Sequence, residues 1–111
     1  MHTSHMNESH VGLCDGRHPI VQNDETAVTE FIFPSEVDDP LDFTSFHKVV
    51  SKWNNRWARS EVETLYLYVT GLTPLLTAFL SNWVKIKLVK TQLVLMHYNR
   101  DTEKYEGEVW P

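Results

Sequence analysis

Cysteine is almost missing from this chain: Cys14 is the only one among 111 residues. An internal disulfide is therefore impossible, and the usage fits a reducing, cytoplasmic compartment. No apolar run approaches the ~20 residues needed to cross a bilayer. The longest, from Leu75 through Leu80, is interrupted downstream by Ser81, Asn82 and Lys85. Basic charge is also short, with a formal net charge of −5. General nucleic-acid binding, which needs a basic face to displace counterions, is disfavoured. A small anionic ligand is not, because a helix N-terminus and one arginine suffice for it. Neither the Walker phosphate loop nor a G-x-G-x-x-G fingerprint occurs, so nucleoside triphosphate and dinucleotide enzymes lose ground. No cluster of histidine, cysteine or carboxylate has metal-ligand spacing, and no cofactor is called for.

What is present is enough apolar matter for a core. Forty-one per cent of residues are hydrophobic, with four Trp, five Phe and four Tyr. The length fits one domain, as independent domains cluster at roughly 100–150 residues. The polar, histidine-rich residues 1–10 read as a disordered tail or tag, with a single α/β domain over 11–111.

Along that domain, Val11-Gly12-Leu13-Cys14 is a short strand stopped by Asp15-Gly16, and Thr29 to Phe33 is a second, ended by Pro34. Asp38-Asp39-Pro40 supplies helix-start chemistry, and Phe43, Phe46, Val49, Val50, Trp53 and Trp57 follow at spacings of three and four. A helix from about Pro40 to Ala58 is predicted. Thr64 to Val69 is apolar on both faces, the pattern of a central strand covered by helices on each side. Thr73 is placed to cap a second helix with Pro74 at its first position, and Leu75, Leu76, Phe79, Leu80, Trp83 and Val84 form its apolar face. Gln92 to Tyr98 is a further buried strand. Asn99 to Thr102 is a turn, and Lys104 to Trp110 a returning edge strand. The order β-β-α-β-α-β-β implies right-handed crossovers and a mainly parallel sheet with a C-terminal β-hairpin.

In open parallel sheets ligands bind at the carboxyl ends of the strands. That rule selects Asp15, Gly16, Arg17 and His18 after the first strand, Thr70, Gly71, Leu72 and Thr73 after the central one, and the segment His97-Tyr98-Asn99-Arg100 at the end of the next, with His97 and Arg100 as its ligand contacts. Gly71 permits a sharp turn and close ligand approach, and the helix start behind it offers free N–H groups to an anion. The bland alternative is a tight turn and a cap. Arg17 can grip a phosphate through two hydrogen bonds and His18 can move a proton near neutral pH, or both are solvated loop residues. His97 reads as a satisfied structural histidine or a catalytic one. Arg100 reads as a partner of Asp101 or Glu103, or as a ligand contact. Cys14 reads as a small buried strand residue. Trp53 and Trp57 are core residues or, together, a dimer seal.

The unit from Leu65 to Leu80, a buried strand, Gly-Leu-Thr-Pro and an apolar helix, resembles the small CRISPR-associated ring nucleases and their Rossmann-like sensor relatives. The likeness spans about a third of the chain. It implies a small Rossmann-like domain, a homodimer, and binding of a cyclic oligoadenylate at strand ends and helix starts in antiviral defence. It also implies metal-independent cleavage by a ribose 2′-hydroxyl in some members. Carried over, Gly71 to Thr73 and Thr70 would contact phosphate, with Arg17 and His18 flanking the ribose-phosphate in the catalytic roles. Short phage proteins that counter such signalling look similar in size. The chain departs from the pattern in its acidic charge and in having no lysine in the three edge loops.

Two functions follow. One is binding of a small anionic nucleotide-type ligand at the strand ends, with or without cleavage as a ring nuclease or phosphodiesterase. The other is a non-enzymatic protein–protein interaction module, such as an inhibitor or adaptor. Neither calls for duplex nucleic acid or a membrane.

Overall fold

The computed structural model describes residues 8–16, 19–22, 24–34, 39, 41–60, 62–70, 73–86 and 91–110. Along them run β1 (Glu8–Cys14), β2 (Phe31–Phe33), α1 (Phe43–Ser60), β3 (Thr64–Tyr68), α2 (Thr73–Ile86), β4 (Gln92–Asn99) and β5 (Lys104–Trp110). The order is the one the hydrophobic pattern predicts. β1 starts at Glu8, so residues 8–10 belong to the sheet and not to a tail. Glu8, Ser9 and His10 pair with Thr64, Leu65 and Tyr66. Tertiary pairing recruits a polar stretch that its own propensity would leave out.

The five strands form one mixed sheet in the order β2-β1-β3-β4-β5. The pairings β1–β2, β1–β3 and β3–β4 are parallel, and β4–β5 is an antiparallel hairpin. Direction decides which face each connection covers. The steps β2→β3 through α1 and β3→β4 through α2 both move toward the β5 edge, whereas β1→β2 moves the other way. Under the right-handed rule, connections stepping alike share a face and an opposite step lies behind the sheet.

The packing follows that rule. Phe46, Val50 and Trp57 of α1 and Leu75, Ala78, Phe79 and Trp83 of α2 share one core with Val11, Leu13, Leu65, Leu67, Leu93 and Leu95. The β1–β2 connector places Ile20 and Val28 on the reverse face, against Tyr68, Val94 and Met96. The expectation of helices on both sides of β3 is therefore corrected: its second face is covered by a connector. That connector folds as a small hairpin, with a Val21–Ala27 bridge and the Val28 N–H donating to the Ile20 carbonyl at 2.9 Å. Gly12 leaves room for it, since a Cβ there would sit 3.0 Å from the Ile20 Cδ1, as well as 2.5 Å from the Phe31 ring of β2.

α1 begins at Phe43 and not at Pro40, because Asp42 is its cap. The Asp42 Oδ1 accepts the Ser45 N–H at 3.2 Å, and its carbonyl accepts that of Phe46. Asp39, expected at the helix start, instead accepts the Leu41 N–H through its own Oδ1 in a preceding turn. The helix ends at Ser60, whose hydroxyl donates back to the Arg56 carbonyl. Trp57 is buried against Phe79 and Trp83, which removes it as a dimer seal. Trp53 lies under the Arg56 guanidinium at 4.9 Å, and Arg56 is paired with Glu30 at 3.0 Å. Val84, which spacing put on the apolar face of α2, is exposed. Among the described residues no helix is long and apolar enough to cross a membrane.

Candidate functional site

The strand order creates one special place. β1 leads to β2 on one side, and the chain then jumps across β1 to β3 on the other. Connections therefore diverge at the carboxyl ends of β1 and β3, and such a switch point leaves a crevice where doubly wound sheets bind ligands. A groove of about 830 Å³ opens there, lined by Cys14, Gly16, Pro19, Ile20, Val21, Thr70, Tyr98, Arg100, Glu103 and Tyr105. It joins all three segments that the sequence singled out.

At its floor, Thr70 clasps the end of β1. Its hydroxyl donates to the Cys14 carbonyl at 2.7 Å and accepts the Cys14 N–H at 3.3 Å. One side chain thus continues the β1–β3 pairing past the last ladder residues. The Thr70 proton is committed, so Thr70 shapes the groove and does not donate to an anion. Cys14 beside it is buried, its thiol within 3.1 Å of the Pro34 carbonyl. Burial, followed by the charge of Asp15, pushes the thiol pKa up, so Cys14 stays a protonated strand residue as expected.

Gly16 is open. It lines the groove, and a Cβ at this position meets nothing within 4 Å. Asp15 is exposed beside Gly16, and its N–H is held by the Phe33 carbonyl at 3.0 Å. It does not line the groove.

The far wall comes from the β4–β5 hairpin. Asn99 organises the turn: its Oδ1 accepts the Asp101 N–H, its carbonyl accepts that of Glu103, and its amide reaches Glu106. Glu103 closes the turn in the left-handed region, with φ 57°. Arg100 and Glu103 both border the groove and are both exposed. Among the described residues, no carboxylate pairs with Arg100. The predicted Arg100–Asp101 or Arg100–Glu103 pair does not form.

Tyr98 and Tyr105 face each other across the hairpin in register, rings 5.3 Å apart and edge to face. Tyr105 in turn abuts Tyr68 at 5.0 Å. Burial, with Tyr98 adding to it, raises the Tyr105 hydroxyl pKa, so the ring stays neutral and amphipathic.

Strand alternation decides the fate of His97. Tyr98 takes the groove face, so His97 points to the other one, where its Nε2 meets the Glu108 Oε1 at 3.0 Å. His97 is a surface cross-strand pair and leaves the site. Thr73 opens α2 as its first helical residue, exposed and outside the groove lining. Arg17, His18, Gly71 and Leu72 lie outside the described residues. Of the proposed ligand contacts, Gly16, Thr70 and Arg100 are brought together. Tyr98, inside the third selected segment, joins them, and Tyr105 and Glu103 do so unannounced, although the period-2 register of the last hairpin carries that signal.

The same sheet face holds a second polar aromatic group. His10 stacks on Tyr66 at 4.5 Å, and its Nδ1 lies 2.9 Å from the Tyr68 hydroxyl. Tyr66 donates to Glu8 at 3.0 Å. Burial, chiefly, pushes the Tyr68 pKa up to about 12. Burial lowers that of His10, against the opposing pull of Glu8 and Asp24. A protonated Tyr68 and a neutral His10 therefore share a hydrogen bond whose direction follows the imidazole tautomer.

Comparison of the chain with protein-family models, curated proteins and solved structures finds no match.

Proposed function

We propose that the groove at the carboxyl ends of β1, β3 and β4 binds a small anionic ligand of the nucleotide type. The observation that carries this reading is the meeting, beside the topological switch point, of an exposed arginine with no ion pair among the described residues, an open glycine and two tyrosine rings. The strand order β2-β1-β3-β4-β5 is one of the two common orders of doubly wound nucleotide-binding sheets, which supports a Rossmann-like description. Here a connector stands where one crossover helix would be, and β5 runs antiparallel.

The ring-nuclease likeness of Leu65 to Leu80 would make the ligand a cyclic oligoadenylate, the protein a homodimer and its role antiviral defence. Cleavage in that case comes from holding the ligand's own 2′-hydroxyl against its phosphate, since Cys14 is held as a thiol and His97 is elsewhere.

A thermal-shift screen of mono-, di- and cyclic oligonucleotides at moderate salt, with product analysis of every hit, tests the reading. Ligand at a hundredfold its dissociation constant adds about 2.7 kcal/mol. That is roughly 10–20 °C for a domain this small. A shift lost in Arg100→Ala supports the groove. No shift with any member moves the weight to the interaction module. Leu41 (67% exposed), two residues before α1, and Phe43 (51%), its first residue, favour that second reading.

A further inference from the structure

The groove presents an uneven chemistry that narrows its ligand. Arg100 and Glu103 stand at the two ends of one four-residue turn, both at the groove and neither paired with the other. A bare phosphate or pyrophosphate would use Arg100 and be repelled by Glu103. An amino acid would use both charges but leave the tyrosine rings and most of about 830 Å³ empty. The missing element is a neutral hydrogen-bond donor near an anion, joined to a flat apolar body.

A carboxylate only accepts, so Glu103 selects O–H or N–H groups. Its position argues that the carboxylate is used. With φ 57°, residue 103 sits where glycine or asparagine costs less than a long side chain. Tyr98 supplies the flat surface: it is 51% exposed and braced edge-on by Tyr105, itself braced by Tyr68. A ring held this way loses little freedom when another ring stacks on it.

We infer that the ligand is a ribonucleotide, with its base on Tyr98, its phosphate on Arg100 and its ribose 2′-hydroxyl donating to Glu103. This rests on the nucleotide reading of the groove and adds the sugar to it. Carboxylates holding a ribose hydroxyl recur in doubly wound sheets for the same reason.

Calorimetric titration of the full chain with the four 5′-ribonucleoside monophosphates and their 2′-deoxy counterparts is the test. The best ribonucleotide should bind about tenfold tighter than its deoxy form, as befits one charge-assisted hydrogen bond in an open groove. Glu103→Gly, which relieves the left-handed backbone and so keeps the fold, should bring that ratio to about one. Glu103→Gln, which keeps the side-chain length, should lower the ratio as well. Arg100→Ala should weaken both forms alike and leave the ratio standing. Equal binding of ribo and deoxy forms by the unaltered protein overturns the ribose contact while the nucleotide groove stands. A ratio unmoved by Glu103→Gly overturns the assignment to Glu103. No binding of any nucleotide overturns the groove reading, and this one with it.

Discussion

Two side chains show how far single residues depart from simple patterning. Asn54 of α1 is fully buried, and among the described residues neither its amide nitrogen nor its oxygen has a hydrogen-bond partner. An orphaned buried donor or acceptor costs about 1–3 kcal/mol. Asn54→Leu, nearly isosteric, should raise the melting temperature, whereas a fall would mean that something satisfies the amide. Asn82, one helix away, shows the contrast: it accepts from Ser51 and donates to the Ala78 carbonyl, with His47 Nδ1 at 2.7 Å. Glu25 and Glu103 hold positive φ angles of 70° and 57°. Glu25→Gly should therefore stabilise by about 1 kcal/mol, readable in chemical denaturation as a higher midpoint with an unchanged slope.

His10 gives a pH dependence at the same scale. Its pKa lies below the ordinary 6.5 because burial disfavours the imidazolium, so below that value the unfolded chain binds more protons than the folded one. Stability should then fall as pH drops below 6.5, and His10→Gln should flatten that limb. The Tyr68 phenol has the opposite sense. With its pKa raised from 10.0 to about 12, it contributes stability that is present below pH 10 and lost as pH rises toward 12. Alkaline unfolding followed by tyrosinate absorbance should start at higher pH in Tyr68→Phe, and an unchanged onset would mean that other phenols carry the alkaline limb.

At the scale of elements, type and order were legible, and ends were so only in part. Periodicity placed α1, but its cap moved from Asp39 to Asp42 because side-chain hydrogen bonding, not the presence of proline, fixed the first turn. β5 was read with its observed limits, since a turn-rich segment precedes an alternating one. The hairpin also shows why site residues were missed. Naming the last residues of β4 without assigning their faces put His97 in the site, where alternation gives the groove to Tyr98. In β1, Gly12 serves neither a turn nor a ligand: it clears room for Phe31 and Ile20. Gly12→Val should cost about 1–3 kcal/mol through overpacking, seen as a lower melting temperature. Unchanged stability would show that the connector is not seated on β1.

At the scale of the whole molecule, the direction of each crossover determines what covers the sheet. α1 and α2 share a face because both carry the chain toward the β5 edge, and the connector takes the reverse face because it goes the other way. The sequence showed that β3 is buried on two sides. It did not show that a loop, through Ile20 and Val28 among its described residues, covers the second side. The same divergence opens the groove between the β1 and β3 ends, so the expected site location follows from topology while most of its lining follows from the last hairpin.

The central claim is that this groove is where the ligand binds, and Gly16 offers the most direct measurement. Gly16 lines the groove and a Cβ there meets nothing within 4 Å, so Gly16→Leu adds bulk at the groove wall while its first atom presses on nothing in the fold. The unliganded variant should melt within about 0.5 kcal/mol of the parent, and the thermal shift given by the best nucleotide should disappear. A Gly16→Leu protein that melts like the parent and still shows the full shift would place the ligand elsewhere and contradict the account.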